Sequence, residues 1–273
     1  MLLKKFIVFL LFVPVVALSQ QAQIDLRHRP PEMIITDNKF SGPIVVIIDQ
    51  LLSSIDVVPL WIDVPWPRTL RRAKNGKVDI VPRHSITSDR ENFLLPMLLG
   101  YEDGTVYYLL GPHINKAEQY HKLEQLNKLN FGLLRDSYYG PHVDSFTSKT
   151  TTFANDIDQL MGMLLAKRID VMPVKNLVWA ERSYAKIKNK YNNLQYHLAE
   201  VNESFYHGKY ISIPKQSKLR DKYHQLNCLL YQWRKSGKID EIYMQHQALP
   251  YIQTFDDAGS KKQAMSCNKT IIK

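Results

Sequence analysis

Short runs of apolar and β-branched residues alternate with helical patterns along most of this sequence, and that alternation limits the fold more than any other feature. Two of the runs are nearly alike, VDIVP at 78–82 and IDVMP at 169–173, and each follows a basic turn. Strands that alternate with helices are typical of layered α/β proteins with mostly parallel strands. We therefore predict two lobes of one α/β architecture with a cleft between them.

The predicted helices have clear start and stop signals. The first begins at Gly42-Pro43, where proline suits the first turn, and it is apolar almost all round, so it should be buried. A second begins near Pro67 and stops at Gly76, a third covers Asn155–Lys167, and a last long helix ends at Gly237. The predicted strands are Ile24–Arg27, Met33–Thr36, Val57–Ile62, Val78–Val81, Val106–Leu110, Phe131–Leu134, Ile169–Pro173, Gln195–Ala199 and Lys209–Ile213.

Residues 1–19 have the pattern of a cleaved signal peptide. Two lysines precede an apolar stretch at 6–16, and Ala17 and Ser19 place small residues before Gln20. A membrane anchor is the alternative, but the stretch is short for the ~20 residues that a spanning helix needs. We predict cleavage near Ser19 and export of a soluble protein.

Export would place the two cysteines, Cys228 and Cys267, in an oxidising compartment. Cys228 belongs to a helical pattern, whereas Cys267 lies in a C-terminal tail with turn-forming residues and little periodicity. A disulfide that holds the tail and a free, buried Cys228 are both open at this point.

The net charge is positive but spread along the chain. The sequence has 36 lysines and arginines against 26 acidic residues, a formal charge of +10. The densest basic group, at 71–77, lies at the end of a predicted helix, where cations offset the helix dipole, so we predict no nucleic-acid partner. The sequence also lacks the spacings typical of a metal site, a phosphate loop or a nucleophilic triad. We therefore predict no catalytic residue, no metal and no cofactor.

The order of several motifs resembles that of a known family. The motifs are RPPEM at 29–33, PWPRTLRRAKNGKVDIV at 65–81, SITSDRE at 85–91, LMGMLLAKRIDVM at 160–172 and LLYQWRKSGKIDEIY at 229–243. This succession, over roughly residues 24–245, resembles the family 3 periplasmic solute-binding proteins of ABC transporters, of the polar amino-acid-binding type. The resemblance implies a type II periplasmic-binding fold, in which each lobe is a mixed α/β sheet flanked by helices and two hinge strands join the lobes.

The resemblance also implies a division of the chain. Asp79 and Asp170 match positions that the family keeps for structural reasons, so we assign both to the scaffold. The implied units are lobe one at 24–110 plus 207–252, lobe two at 111–206 and a C-terminal tail at 253–273.

A protein of this family works as a periplasmic monomer that captures a small amino acid or organic acid and delivers it to an ABC permease. A sensing role with a membrane receptor stays open. A dehydratase-type enzyme on the same fold is a further alternative, and it would need a cleft acid such as Glu32 or Glu91. We predict a binding protein rather than an enzyme.

Five ligand-binding residues are implied in lobe one. Arg90 matches the family's carboxylate-gripping arginine, and a guanidinium fork suits that role; a surface ion pair is the alternative. Ser85 and Thr87 would offer hydroxyl and backbone N–H groups, or Thr87 would cap a helix. Trp66 would stack on the ligand, or pack in the core. Arg29 falls near the family's second aromatic position and would make the cleft more cationic.

Three more are implied in lobe two. Ser137 and Tyr138 follow a predicted strand, where the family presents backbone N–H groups to a carboxylate at a helix start; an exposed aromatic loop is the alternative. Lys175 stands where the family normally has the acid that pairs with the ligand's ammonium, which favours an anionic ligand. A slipped alignment, or a substitute acid such as Glu32 or Glu203, would change that interpretation.

Overall fold

The computed structural model describes residues 20–115, 120–145 and 151–268. The predicted signal peptide at 1–19 lies outside these ranges. Within them, no helix has both the length and the apolarity that crossing a membrane requires.

Strands and helices alternate along the chain, as the sequence predicts. The first part contains β1 (Gln20–Leu26), β2 (Ile34–Thr36), β3 (Lys39–Ser41), α1 (Pro43–Ser53), β4 (Val57–Asp63), α2 (Trp66–Lys74), β5 (Val81–His84), α3 (Ser88–Glu91) and β6 (Leu94–Leu110). The middle contains α4 (Leu123–Leu126), β7 (Phe131–Leu134), α5 (Pro141–Ser145), β8 (Thr151–Ala154), α6 (Ile157–Leu165), β9 (Val171–Val174), α7 (Leu177–Ile187) and β10 (His197–Pro214). The last part contains α8 (Tyr223–Lys235), α9 (Lys238–Gln245) and α10 (Ala258–Asn268).

Two long strands join the lobes. β6 and β10 pair antiparallel from His197 opposite Leu110 to Pro214 opposite Leu94. The sequence prediction finds only the apolar end of β6 and divides β10 into two strands, which is wrong. Polar residues fill the middle of β10, and a proline and two glycines interrupt β6, so neither strand has a continuous apolar pattern.

The sheets are mixed. β1 pairs in parallel with β4, and a six-stranded sheet has the order β5–β10–β6–β9–β7–β8. β7 is parallel to β8 and β9, whereas β10 is antiparallel to β5 and β6. The prediction of mostly parallel strands is therefore wrong for the joining strands, because β6 leaves lobe one and β10 returns to it in the opposite direction.

One strand lies later in the sequence than predicted. The pattern predicts Val78–Val81, but β5 covers Val81–His84, and Ile80 makes only an isolated bridge to Ile24 of β1. This shift matters for the site, because it places Arg83 and His84 within a strand that pairs with β10.

Separate hydrophobic cores hold the two lobes. In lobe one, α1 is buried on nearly all sides, with Ile44, Ile47 and Leu51 fully covered, as its apolar pattern predicts. In lobe two, one core surrounds α6 and β9, and another surrounds Phe131 of β7. Each lobe therefore has its own apolar interior.

The scaffold role predicted for two aspartates is confirmed by their contacts. The Asp79 carboxylate accepts hydrogen bonds from the Gln23 backbone N–H at 2.8 Å and the Ser217 hydroxyl at 2.9 Å. The Asp170 carboxylate accepts from the Asn130 backbone N–H at 2.7 Å. Each aspartate thus ties the segment before a strand to a neighbouring element.

The C-terminal tail is more ordered than its sequence suggests. It forms α10, and Cys267 makes a disulfide with Cys228 of α8, with 5.3 Å between their Cα atoms. This finding decides between the two alternatives for the cysteines. Buried Arg234 of α8 supports the tail by donating hydrogen bonds to Gln253 and Gln263 at 2.8 Å each.

Candidate ligand-binding site

Arg90 lies at the contact between the two lobes. It is 6% exposed, and its Nη1 and Nη2 atoms donate hydrogen bonds to the carbonyl oxygens of Ser85 and Asp136, both at 2.6 Å. Asp136 belongs to the turn after β7, in lobe two. The guanidinium therefore bridges the lobes, with oxygen acceptors on two of its nitrogens.

Trp66 makes a second contact to the same turn. Its Nε1 atom donates to the Asp136 carbonyl oxygen at 2.7 Å. The guanidinium carbon of Arg27 lies 4.3 Å from its ring centroid and that of Arg90 lies 5.2 Å away. The indole is half-buried with two guanidinium groups near its ring, and it also packs against the small core cluster that contains Val81 and Leu94, so its core-packing alternative describes part of its setting.

Ser85 and Thr87 shape the turn that presents Arg90. Thr87 caps α3, where its hydroxyl accepts from the Arg90 backbone N–H at 3.4 Å, so its capping alternative describes the structure. Ser85 is buried, and its hydroxyl lies 3.3 Å from Nζ of Lys209. Ser85 therefore contacts two basic side chains, Arg90 through its carbonyl oxygen and Lys209 through its hydroxyl.

A buried ion cluster that the sequence prediction missed lies beside Ser85. Arg83 of β5 contacts the carboxylate of Glu32 at 2.8 Å and that of Glu102 at 3.0 Å. Tyr251 also donates its hydroxyl to Glu32. Glu32 is thus held by protein groups, which makes it unsuitable as the substitute ammonium-binding acid. The basic-turn pattern before β5 gave no signal for this cluster, because its members come from four separate segments.

Lys209 of β10 completes the cluster. Its Nζ lies 2.7 Å from a Glu102 carboxylate oxygen and also contacts the His207 ring. Burial lowers the pKa of Lys209 well below its usual value, and the nearby Arg83 adds to the shift. Burial opposes ionisation of Glu102, but Arg83 and Lys209 outweigh it and lower the pKa of this carboxyl to about 2.

Two histidines near the cluster, buried His84 and half-buried His207, have lowered pKa values that favour the neutral ring. Burial, with the charges of Lys209 and Lys175, lowers the pKa of His207 to about 3. Burial and the charge of Arg90 lower the pKa of His84 to about 3 as well, although a hydrogen bond with the Ser85 carbonyl opposes the shift.

Lobe two presents a lysine and aromatic rings to this region. Nζ of Lys175 lies 5.3 Å from the ring centroid of Tyr138 and 5.6 Å from that of Phe205. Tyr138 also lies 5.7 Å from the ring of His207, so these groups form a continuous contact with the ion cluster. Phe205 and His207 are on β10, a hinge strand.

Three predicted positions are placed less favourably for a ligand. Ser137 is exposed in a turn, and its backbone N–H donates to Leu134 at 3.2 Å, so it does not open a helix. Arg29 lies 5.4 Å from the ring of Trp179 in α7 and 3.6 Å from the carboxylate of Glu32. Glu203 accepts from the backbone N–H of His142 at 3.2 Å, inside lobe two.

Among the residues that the structure describes, no group of three or more histidine, cysteine, aspartate or glutamate side chains could hold a metal ion. A cavity of about 710 Å³ lies in lobe two between β8, α6 and α7, and the predicted ligand residues do not line it.

Known proteins resemble this chain in structure and not in sequence. Neither a protein-family model nor a curated protein matches the sequence. Among solved structures, a histidine kinase sensor domain with similarity to periplasmic binding proteins has a TM-score of 0.61 at 15% identity, covering 84% of this chain and 97% of that one. An arginine periplasmic binding protein from Legionella pneumophila has a TM-score of 0.58 at 15% identity, over 84% and 100% of the two chains.

A third similar structure is an ancestral amino-acid-binding protein, a precursor of cyclohexadienyl dehydratase, with a TM-score of 0.58 at 16% identity over 82% of this chain and 94% of that one. Together these likenesses define the fold. The chain has the two-lobed α/β fold of periplasmic binding proteins, as the sequence prediction of its fold class states.

Proposed function

We propose that this protein is exported to the periplasm and captures a small amino acid or organic acid between its two lobes, for delivery to an ABC permease. The observation that carries the proposal is the position of Arg90. Its guanidinium is buried at the contact between the lobes and donates hydrogen bonds to one carbonyl oxygen from each lobe. A guanidinium binds a carboxylate through the same two donors, and more strongly because the acceptor is charged.

The proposed mechanism depends on the acceptor that Arg90 binds at the contact between the lobes. In the structure, the Asp136 carbonyl oxygen accepts from both Arg90 and Trp66. When the lobes part, both donors lose that acceptor, and a ligand carboxylate takes its place before the lobes close again. The closed state is then favoured because the ligand contacts both lobes at once.

The experiment that tests this proposal is calorimetric titration of amino acids and small organic acids against the intact protein and the variant Arg90→Gln. We expect binding by the intact protein and at least a tenfold loss in the variant. Arg71→Gln, an exposed arginine on α2, is the matched control and should bind normally. Failure of every acid to bind the intact protein would overturn the proposal.

Sensing is the second candidate, and the similarity to a histidine kinase sensor domain favours it. Both roles use the same closed clamp, so affinity does not separate them. Deletion of the gene does: loss of uptake of the bound ligand supports delivery to a permease. Intact uptake with a lost response to the ligand supports a membrane receptor as the partner.

The proposal describes binding without chemical change of the ligand. It is supported by the positions of the two candidate acids for a dehydratase, since Glu32 is held by Arg83 and Glu91 is exposed on α3. Nuclear magnetic resonance spectra of a bound ligand should stay unchanged over hours of incubation. Conversion of the ligand would overturn this part of the proposal.

Export and monomeric state are part of the same proposal. Gln20, the residue that cleavage after Ser19 would leave at the N-terminus, is the first residue of β1. N-terminal sequencing of the protein from a periplasmic extract should start at Gln20, and light scattering should give the mass of one chain.

A further inference from the structure

The cavity of about 710 Å³ in lobe two is a second concave site, lined by residues other than those of the Arg90 contact. β8 contributes Phe153 to its wall, α6 contributes Met163, and the end of α7 contributes Ile187. Sites for small molecules have volumes of roughly 300–1,000 Å³. The cavity therefore has the size for a small ligand rather than for a folded partner.

The spacing of residues on α6 explains why the surface is concave here. Gly162 and Ala166 are one turn apart, so they lie on the same side of the helix, and both line the cavity. A Cβ atom at position 162 would lie 2.8 Å from the hydroxyl oxygen of Tyr191, so the glycine permits the close approach of that tyrosine. On the other side of α6, Leu160 and Leu164 are fully buried in the core of lobe two. The helix is thus held by its core side and leaves a depression on the side with small residues.

Apolar side chains form the floor of the cavity. Phe153, Met163, Ile187 and Tyr191 all line it. The Phe153 side chain is 48% exposed, so a large part of its ring is in contact with water. Covering apolar surface is favourable in proportion to the area removed from water. The floor therefore suits a ligand with an aromatic or alkyl body.

Basic side chains surround this apolar floor. Arg168, Lys186 and Lys190 line the cavity, and Asp158, which also lines it, forms an ion pair with Lys186. Within the part of the chain that the structure describes, neither Arg168 nor Lys190 makes an ion pair with a carboxylate. A guanidinium can bind a carboxylate through two donors, and an ammonium adds a further positive charge. The charge of the cavity is therefore complementary to an anion.

We propose that this cavity is a second binding site, and that its ligand is a small monocarboxylate with an aromatic or alkyl body. The carboxylate lies against Arg168 and Lys190, and the body of the ligand covers Phe153 and Met163. An amide of the same shape lacks the charge that the two cations attract, and a small acid without an apolar body leaves the floor in contact with water. The inference goes beyond the proposed function, because Arg90 takes no part in this site.

The test compares three probes that separate charge from apolar surface, namely 3-phenylpropionate, its primary amide and acetate. Each is titrated into the unaltered protein and into Arg90→Gln, in which the cleft between the lobes has lost its guanidinium. Nuclear magnetic resonance spectra of the labelled protein report the affinity and identify the backbone amides that shift. In Arg90→Gln, we expect 3-phenylpropionate to bind at least fivefold more tightly than its amide and at least tenfold more tightly than acetate. The shifted amides should lie in β8, α6 and the end of α7.

Variants at the wall of the cavity test the two parts of the site. Arg168→Gln and Lys190→Gln should each weaken binding of the acid at least threefold and leave binding of the amide unchanged. Ala166→Trp fills the depression and should abolish binding of both. Lys128→Gln, at a basic residue of lobe two that does not line the cavity, is the matched control and should bind normally. All four positions are exposed, so these variants should fold like the unaltered protein.

The contrary outcomes are distinct. Equal affinities for the acid and the amide, or amide shifts confined to other parts of the chain, would overturn the inference. Binding of a glutamate-rich peptide that depends on Arg168, without binding of 3-phenylpropionate, would overturn it in favour of a protein partner. A mass of two chains in light scattering that Ala166→Trp reduces to one would overturn it in favour of a second copy of this chain. Binding at this cavity that persists in Arg90→Gln supports the inference whether or not the cleft binds an acid.

Discussion

Reduction of the disulfide between Cys228 and Cys267 should lower the free energy of unfolding by a predictable amount. The two cysteines are 39 residues apart in sequence. For a loop of that length, the chain-entropy model gives a disulfide contribution of about 4 kcal/mol to the free energy of unfolding. For a chain of this size, that loss corresponds to a decrease in Tm of roughly 8–16 °C. The tail is also tied to α8 through Arg234 and to β6 through Gln263, so its release should expose those buried contacts.

Urea unfolding, followed by circular dichroism with and without a phosphine reductant, measures this change. The protein has no other cysteine, so the reductant acts on one bond, and thiol titration should rise from zero to two groups per chain. The double variant Cys228→Ser and Cys267→Ser is the control, since it should unfold like the reduced protein and ignore the reductant. A loss below about 1 kcal/mol would refute the loop-entropy reasoning.

The remaining predictions concern the contact between lobes and the buried ionisable groups. Trp66→Phe keeps an aromatic ring but removes the hydrogen bond to the Asp136 carbonyl oxygen, which is worth about 0.5–1.5 kcal/mol. Small-angle scattering should therefore show a larger radius of gyration for the ligand-free variant than for the unaltered protein. An unchanged radius contradicts the bridging role of Trp66. His84 and His207 have pKa values lowered to about 3, so the unfolded chain binds more protons than the folded one below pH 6.5. The free energy of unfolding should therefore fall by up to about 4 kcal/mol between pH 7 and pH 5. It should fall further below pH 4.5, because Glu102, whose pKa is lowered in the folded protein, then loses its favourable ionisation. Urea titrations measure this profile, and a flat profile would show that the histidines are not held as neutral rings.

The elements with a regular apolar pattern were predictable from the sequence. α1 has apolar residues on nearly every face and is buried, and Phe131–Leu134 is a strand with the predicted bounds. The long strands were harder to predict, because a proline and two glycines interrupt the apolar pattern of β6 and because β10 contains polar residues where it passes between the lobes. The helix in the tail was missed because its order comes from Arg234 and the disulfide rather than from its own amphipathic pattern.

The site was predictable where a local motif carries it and unpredictable where the contacts are long-range. Arg90 follows a capping threonine in one short turn, so the residues that position it are close to it in the sequence. Lys209, Glu102 and Arg83 are far apart in sequence and meet only because β10 pairs with both β5 and β6. The charges in the sequence do not tell which basic residues become buried together. The sequence therefore predicted a cationic cleft from Lys175, Arg29 and Arg90, and it did not predict the buried residues Arg83 and Lys209.

In the proposed function, closure and ligand binding would be connected through the same donors. Arg90 and Trp66 share one carbonyl oxygen of Asp136 at the contact between the lobes. A hydrogen bond to a neutral carbonyl is worth less than one to a carboxylate, so a ligand carboxylate would compete with Asp136 for these donors. A ligand shifts a conformational equilibrium only by its difference in affinity for the two states, and under this proposal that difference would come from the contacts of the carboxylate with Arg90 and Trp66.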